Sequence, residues 1–471
     1  MKRLVLILCL ASCGLPLFAY KVNRTSQIIM YTRPAYKFVS ATSGSWAEII
    51  THKKGASKTA VQLVPLFQES TCDCKIKSYF LMNCKPQLFV AGDNSPSMLN
   101  FDERDVRAEW LGLAPTFEGT FSVEPWQRQI GAVLNYNQDL GSWIDTTFLK
   151  YWWLDVSLPV FQVYNNLNPL GPKDLLNALK RPELENAKME GGRKKKTGVG
   201  ELRVALGTTV LNTDCFTLTY YGAIAFPGET RRCTTYIFRP STGTNGHMGL
   251  VNGLLCRLPF YRCCDRGDSV DFFCSIELDY RFRREEWRVF DLCHKQWSRY
   301  LLVRREGDPR TIPAANILTK YVEVCPHNAV DLSAGISIDH EGLGAEVGYN
   351  LWATQTEQIK HLNPPRCNKE IHHMEEYGIA GTAPGSSAST STISKQGPDD
   401  TAFVHLHESQ LDFCSAAAQG SGSQRVFASL FYQGGGECNN ALVKIGGFID
   451  WPHNNSTLKT YGVWGNIAFG W

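Results

Sequence analysis

The chain has 471 residues and a formal net charge of +3, too slight a basic excess to point to a nucleic-acid partner. Hydrophobic residues make up 43%, mean hydropathy is −0.21, and no apolar run after the N-terminus reaches the 18 or more residues of a transmembrane helix. A transmembrane β-barrel is compatible with all of this, because only alternate strand residues face lipid.

Taken in order, residues 1–19 read as a secretory signal peptide: Lys2 and Arg3, an apolar core from Leu4 to Leu10, then small residues. Cys13 completes a lipoprotein-type box, but ordinary cleavage is favoured, since a barrel needs no lipid anchor. Fourteen cysteines follow the signal; in an exported protein some form loop disulfides, with unreadable connectivity. Residues 20–115 lack period-two patterning, and Asp102–Leu113 has helical spacing. This region is expected to be an N-terminal plug or periplasmic cap.

From residue 116 to 471 alternation dominates. The predicted strands include Phe117–Val123, Ile130–Tyr136, Trp152–Val160, Leu202–Leu206, Cys215–Phe226, Leu250–Arg262, Phe272–Phe282, Trp297–Arg304, Ile317–Val324, Val330–Ile338 and Leu343–Leu351. Val426–Tyr432, Val443–Trp451 and a closing strand follow. In the closing strand Tyr461, Val463, Ile467, Phe469 and Trp471 share one face, with small or polar residues and Trp464 on the other. The expectation is an all-β fold: an antiparallel up-and-down transmembrane β-barrel of about 14 strands, within a range of 12–16. Counting strands back from Trp471 puts the long loops at 165–198, 227–246, 283–295, 357–423 and 452–458 on one side, assigned as extracellular. The short turns at 263–268, 339–342 and 434–438 fall on the other.

The opposite, lumen-facing rows collect Arg203, Asp271, Glu277, Asp279, Arg281, Asp331, Asp339, Glu346, Lys444 and Asp450. Paired carboxylates can serve acid–base catalysis, but a mixed-sign wall facing water explains them without chemistry. No hydrolase, zinc or phosphate-loop motif occurs, so no enzyme activity, cofactor or metal site is expected. The basic run Arg193–Lys196 and the cluster His372, His373, Glu375 and Glu376 read as solvated loop residues. Inward Gly335, Ser333, Ser337, Gly344 and Gly348 suggest space and water in the lumen.

The closing strand, with its terminal aromatic, resembles the C-terminal assembly signal of bacterial outer-membrane barrels. The blocks GELRVALGTTV (200–210), PGETRRCTTYIFRPSTGTNGHMGLVNG (227–253), FDLCHKQWSRYLLV (290–303) and GLGAEVGYNLWATQTEQI (342–359) resemble porin-type outer-membrane proteins of the Dependentiae kind. That resemblance implies a bacterial outer-membrane location, with lipid, the barrel-assembly machinery and small solutes as partners. The function it suggests is passive diffusion of small solutes. A segment preceding the barrel also resembles, in architecture, the long-chain fatty-acid transporters, which suggests uptake of hydrophobic compounds. A cysteine-rich structural or adhesive surface protein is the alternative of a different class.

Overall fold

The computed structural model describes residues 26–37, 58–71, 74–96, 104–141, 149, 151–213, 216–229, 234–263, 268–326, 328–361, 374–380, 403–435 and 440–471. The expected signal peptide, Cys13, His372, His373 and the Gly/Ser-rich tract at 381–397 lie outside the described residues.

Twelve antiparallel strands close into a barrel: β1 (Thr59–Ser70), β2 (Trp126–Asp139), β3 (Trp152–Asn166), β4 (Glu201–Thr213), β5 (Phe216–Pro227), β6 (Gly249–Cys263), β7 (Asp268–Arg281), β8 (Ala329–His340), β9 (Leu343–Thr354), β10 (Gly422–Gly435), β11 (Asn440–Pro452) and β12 (Thr460–Gly470). Each strand pairs with its neighbour in sequence, and β12 returns to β1 with Leu63 opposite Ile467 and Val61 opposite Phe469. Closure leaves no exposed ladder, so every strand finds its backbone partners within the wall. A short strand, Lys194–Val199, lies along the far half of β3 and leads into β4 through Gly200, with a one-residue change of register.

The period-two rows form because the two faces of the wall meet different surroundings. On β12 the residues from Thr460 alternate buried and exposed almost without exception. The outer residues are apolar and exposed, Ile445 at 68%, Leu430 at 62% and Phe469 at 60%. Single exposed apolar residues are ordinary on any protein, but an apolar face continued round all twelve strands is not.

Three expectations change. Thr59–Ser70, inside the segment assigned to plug or cap, is a barrel strand wedged between β12 and β2. Phe117–Val123, Trp297–Arg304 and Ile317–Val324 contribute no barrel strand; they yield short strands and a 3-10 turn outside it. The count therefore falls from fourteen to twelve. The gain and losses preserve up–down parity, so the sorting of loops survives. Third, Asp102–Leu113 makes no α-helix: its described part is a bridge at Val106–Arg107 and a 3-10 turn, Ala108–Leu111, stopped by Gly112 at φ 72°.

One rim carries the connections between β2 and β3, β4 and β5, β6 and β7, β8 and β9, and β10 and β11, and there Lys58 donates its N–H to the Trp471 carbonyl at 2.7 Å. At the other rim the long connections between β1 and β2, β3 and β4, β5 and β6, β7 and β8, and β9 and β10 pack together as a cap. Its core includes Phe80, Val90, Phe121, Leu175, Phe290, Trp297, Leu318 and Val324, all essentially inaccessible. Small sheets tie the connections across long sequence distances: Leu88–Ala91 with Glu118–Val123, and Arg284–Val289 with Thr319–Cys325 and Gln358–His361. The cap cysteine Cys293, like Cys263 and Cys325, is a free thiol, so the expected loop disulfides do not include these three.

Candidate functional site in the barrel lumen

Strand alternation aims one side chain in two at the lumen, and the ten residues expected there lie on the inner face, seven of them buried and Asp331, Asp339 and Glu346 half-buried. They do not form one site. Asp271 receives Arg257 of the neighbouring strand at 2.6 Å, and Lys444 of β11 pairs with Glu346 of β9 across β10; these are separate bridges within the wall. Asp339 sits at the short-turn rim and accepts the Gly342 N–H at 2.8 Å, which fixes the β8–β9 turn.

The remaining six cluster at the capped end, around a part of the chain the sequence does not mark. Residues 26–30 are held in the cap: Gln27 donates its N–H to the Tyr79 carbonyl at 2.9 Å, and Tyr79 donates its hydroxyl to the Ile29 carbonyl at 2.6 Å. Residues 31–37 then run in among the inner side chains. Tyr31 stacks on Trp352 with centroids 6.2 Å apart, and the Ala35 N–H donates to Gln129 Oε1 at 3.0 Å. Arg33 reaches Asp331 and Asn350 at 2.7 Å and lies 3.9 Å from Asp450. Lys37 bridges Asp279 at 2.7 Å and Glu201 at 2.9 Å, with Glu277 at 4.0 Å.

Wall cations complete the network. Arg281 holds Glu201 at 2.8 Å, Arg203 holds Glu277 at 2.7 Å, and Arg425 holds Asp450 at 2.9 Å. Glu277 also accepts the Tyr221 hydroxyl at 2.9 Å. Both Arg33 and Lys37 are below a tenth exposed. Charges so buried are tolerable only when matched, and stripping one partner from such a pair costs about 3–5 kcal/mol. The segment and the wall are therefore interdependent. A small cavity where lumen meets cap is bounded by Tyr31, His247, Asp279, Arg281 and Thr354.

Towards the middle of the barrel the character changes. Phe427, Phe448, Trp464, Val64, Leu66, Val133, Phe161 and Val163 form a buried apolar cluster, with Tyr36 of the N-terminal segment 5.8 Å from Phe161. The small inward residues do not leave the space their size suggested. A Cβ on Gly348 would lie 2.3 Å from the Phe427 ring, and one on Gly344 would lie 2.1 Å from Phe431. Each glycine is the floor on which a ring from the next strand lies flat, so the expected water is replaced here by aromatic side chains.

Arg33 and Lys37 sit in sequence without periodicity, and nothing local reveals them. Glu201 and Arg425 were accessible: extending the inward rows from Arg203 and from Phe427 by one step reaches them.

No family model matches the chain, and no curated protein matches it. Among solved structures it is similar to an outer membrane channel from Pseudomonas putida F1, with 8% identity and a TM-score of 0.37 over 88% of this chain and 95% of that one. It is also similar to the P. putida toluene transporter TodX, at 10% identity and TM-score 0.33 with 95% of each chain covered. The transport unit of the autotransporter AIDA-I from Escherichia coli follows at 7% identity and TM-score 0.30, over 94% of this chain and 99% of that one. Likenesses this distant carry no argument about a solute, and none bears on the Dependentiae-type resemblance.

Proposed function

We propose that this chain is a channel of a bacterial outer membrane, held in lipid by its apolar outer wall and closed at the capped end by residues 26–37. The observation that carries the reading is the burial of Arg33 and Lys37 against wall carboxylates inside a barrel whose outside is apolar. Export by residues 1–19 and recognition of Tyr461, Val463, Ile467, Phe469 and Trp471 by the barrel-assembly machinery complete the route to the membrane. The transported class is small solutes moving by passive diffusion. Withdrawal of the segment removes two cations from Glu201, Asp279, Asp331 and Asp450, which leaves the entrance net acidic and favours cations over anions. A second reading, uptake of hydrophobic compounds, is favoured by the aromatic and aliphatic cluster that any solute meets below the charged entrance.

Planar-bilayer recording of the full chain and of the Arg33→Ala/Lys37→Ala variant tests this. Weak or intermittent conductance is expected for the former, with larger, cation-preferring conductance for the latter. Liposome entry of an aromatic hydrocarbon and of a sugar separates the two solute classes. If both proteins insert yet neither conducts nor admits solute, the channel reading fails and a structural surface protein takes its place.

A further inference from the structure

On the outer wall, above the apolar belt at the capped rim, side chains of three adjacent strands stand in one row. Along β3 the outward residues run Val160, Gln162, Tyr164, Asn166, and along the added strand they run Val199, Thr197, Lys195, with exposed Arg193 just before its first residue. The register places Val160 opposite Val199, Gln162 opposite Thr197, and Tyr164 opposite Lys195, while Arg128 of β2 is opposite Tyr164 on its other side. At about 3.3 Å per residue, Tyr164 and Lys195 therefore stand roughly 13 Å beyond the last apolar pair. That is the depth at which a bilayer passes from hydrocarbon to headgroups, and where aromatic and basic residues gather.

The charge here is not self-cancelling. Arg128 is held by Glu69 at 2.9 Å, and Lys77 by Glu124 at 2.7 Å. Arg193 and Lys195 are exposed and have no carboxylate partner among the described residues; their partners are aromatic faces, Trp126 at 5.1 Å and Tyr164 at 5.9 Å. At the same rim on another side of the barrel, exposed Arg283 has Glu323 at 3.3 Å. Beside the row a cavity of about 320 Å³ opens, lined by Lys77, Trp126, Asn166, Asn168 and Arg193. Glu124 lines it as well and neutralises Lys77, so the cavity offers the unmatched Arg193 and two amides beside an indole.

We infer that this patch docks a phosphate-bearing anionic lipid, its phosphate between Arg193, Lys195 and the asparagines, and its acyl chains against Ile130, Leu134 and Val160. The inference rests on the membrane reading above. The lipid, rather than free phosphate, is the occupant because the patch is continuous with exposed apolar wall: Ile130 is 41%, Leu134 47% and Val160 46% exposed. The basic run, read from sequence as solvated loop, thereby acquires a partner.

Native mass spectrometry of the full chain from micelles holding phosphatidylglycerol or phosphatidylcholine tests the site. Wild type should retain phosphatidylglycerol in preference to phosphatidylcholine. Arg193→Glu/Lys195→Glu should cut that retention at least about fivefold, given roughly 1 kcal/mol per basic residue near the membrane surface. Arg283→Glu should leave it unchanged. Equal retention by wild type and the double variant overturns the proposal, as does displacement of the lipid by millimolar inorganic phosphate. Vesicle flotation of the same samples keeps the two readings apart: wild type that floats without selective retention refutes only the lipid site. Wild type that fails to float refutes the membrane reading and this site with it.

Discussion

Trp464 of β12 and Trp297 of the cap are both buried, at 3% and 0% exposed, but for different reasons. Trp464 is buried by parity: it is an inward residue of a strand whose outward neighbours Val463 and Gly465 meet the outside, and it packs on Phe427 and Phe448 with centroids 6.3 Å away. Trp297 is buried by remote contacts. It packs on Phe121 at 5.5 Å and Tyr300 at 5.2 Å, and its indole N–H donates to the Phe80 carbonyl at 3.0 Å. In the wall, a local rule repeated twelve times decides which side chains are inside. In the cap, five long connections and residues 26–30 decide it together, as in a water-soluble core. The wall should therefore tolerate changes in the cap, and each region should have its own weak points.

The largest expected effect lies in the cap. Arg299 and Asp291 form an ion pair at 2.5 Å with side chains 0% and 1% exposed, and Asp291 also accepts the backbone N–H groups of Trp297 and Arg299. Arg299→Ala strands a buried carboxylate, at a cost of about 3–5 kcal/mol. Burial already pushes the Asp291 carboxyl above its ordinary range and loss of Arg299 pushes it further, so protonation in acid relieves part of this cost. Limited proteolysis should show the cap opening while the barrel keeps its heat-modifiable mobility on gels. Loss of both together would mean that wall and cap fold as one unit.

Next comes the wall. Ile445→Arg places a charge where the outer face is 68% exposed, at a cost of about 2–4 kcal/mol in a bilayer if the position lies near the midplane. Insertion yield into vesicles should fall, with little change for Gly447→Ser on the same outward row. Unimpaired insertion of Ile445→Arg would argue that this face does not meet hydrocarbon.

This contrast also explains what the sequence discloses. The period of two is written into each strand, so eleven of the twelve barrel strands and the inward position of Arg203, Glu277, Asp279 and Asp450 are legible from residues alone. β1 escapes because Pro65 interrupts its row, and because it follows a stretch without pattern; its place is set by β12, some 400 residues later. Trp297–Arg304 and Ile317–Val324 mislead for the opposite reason. They are apolar enough for strands, but their apolar faces meet other connections rather than the outside of the wall. The role of the lumen acids was hidden because their partners Arg33 and Lys37 arrive from an irregular segment. Alternation finds a wall and is silent about what fills it.

The smallest effect isolates a single cap residue through pH. Lys295 is 3% exposed, and burial pushes its ammonium from the ordinary lysine value down to about 8. Below pH 8 the residue is charged whether the cap is folded or open, and the folded form bears the whole desolvation cost. Between pH 8 and the ordinary lysine value the open form binds more protons than the folded one, so cap stability rises with pH across that window and levels off above it. The gain is on the order of 1–3 kcal/mol. Lys295→Met removes the ionisation while keeping much of the side chain's length, so it should lose most of the rise. Hydrogen exchange of the Leu292 and Trp297 amides across that range reads the difference, against barrel amides as an internal reference. A wild-type profile parallel to that of Lys295→Met would show that the amine keeps its ordinary proton affinity, and that the cap is wetter around Lys295 than its packing implies.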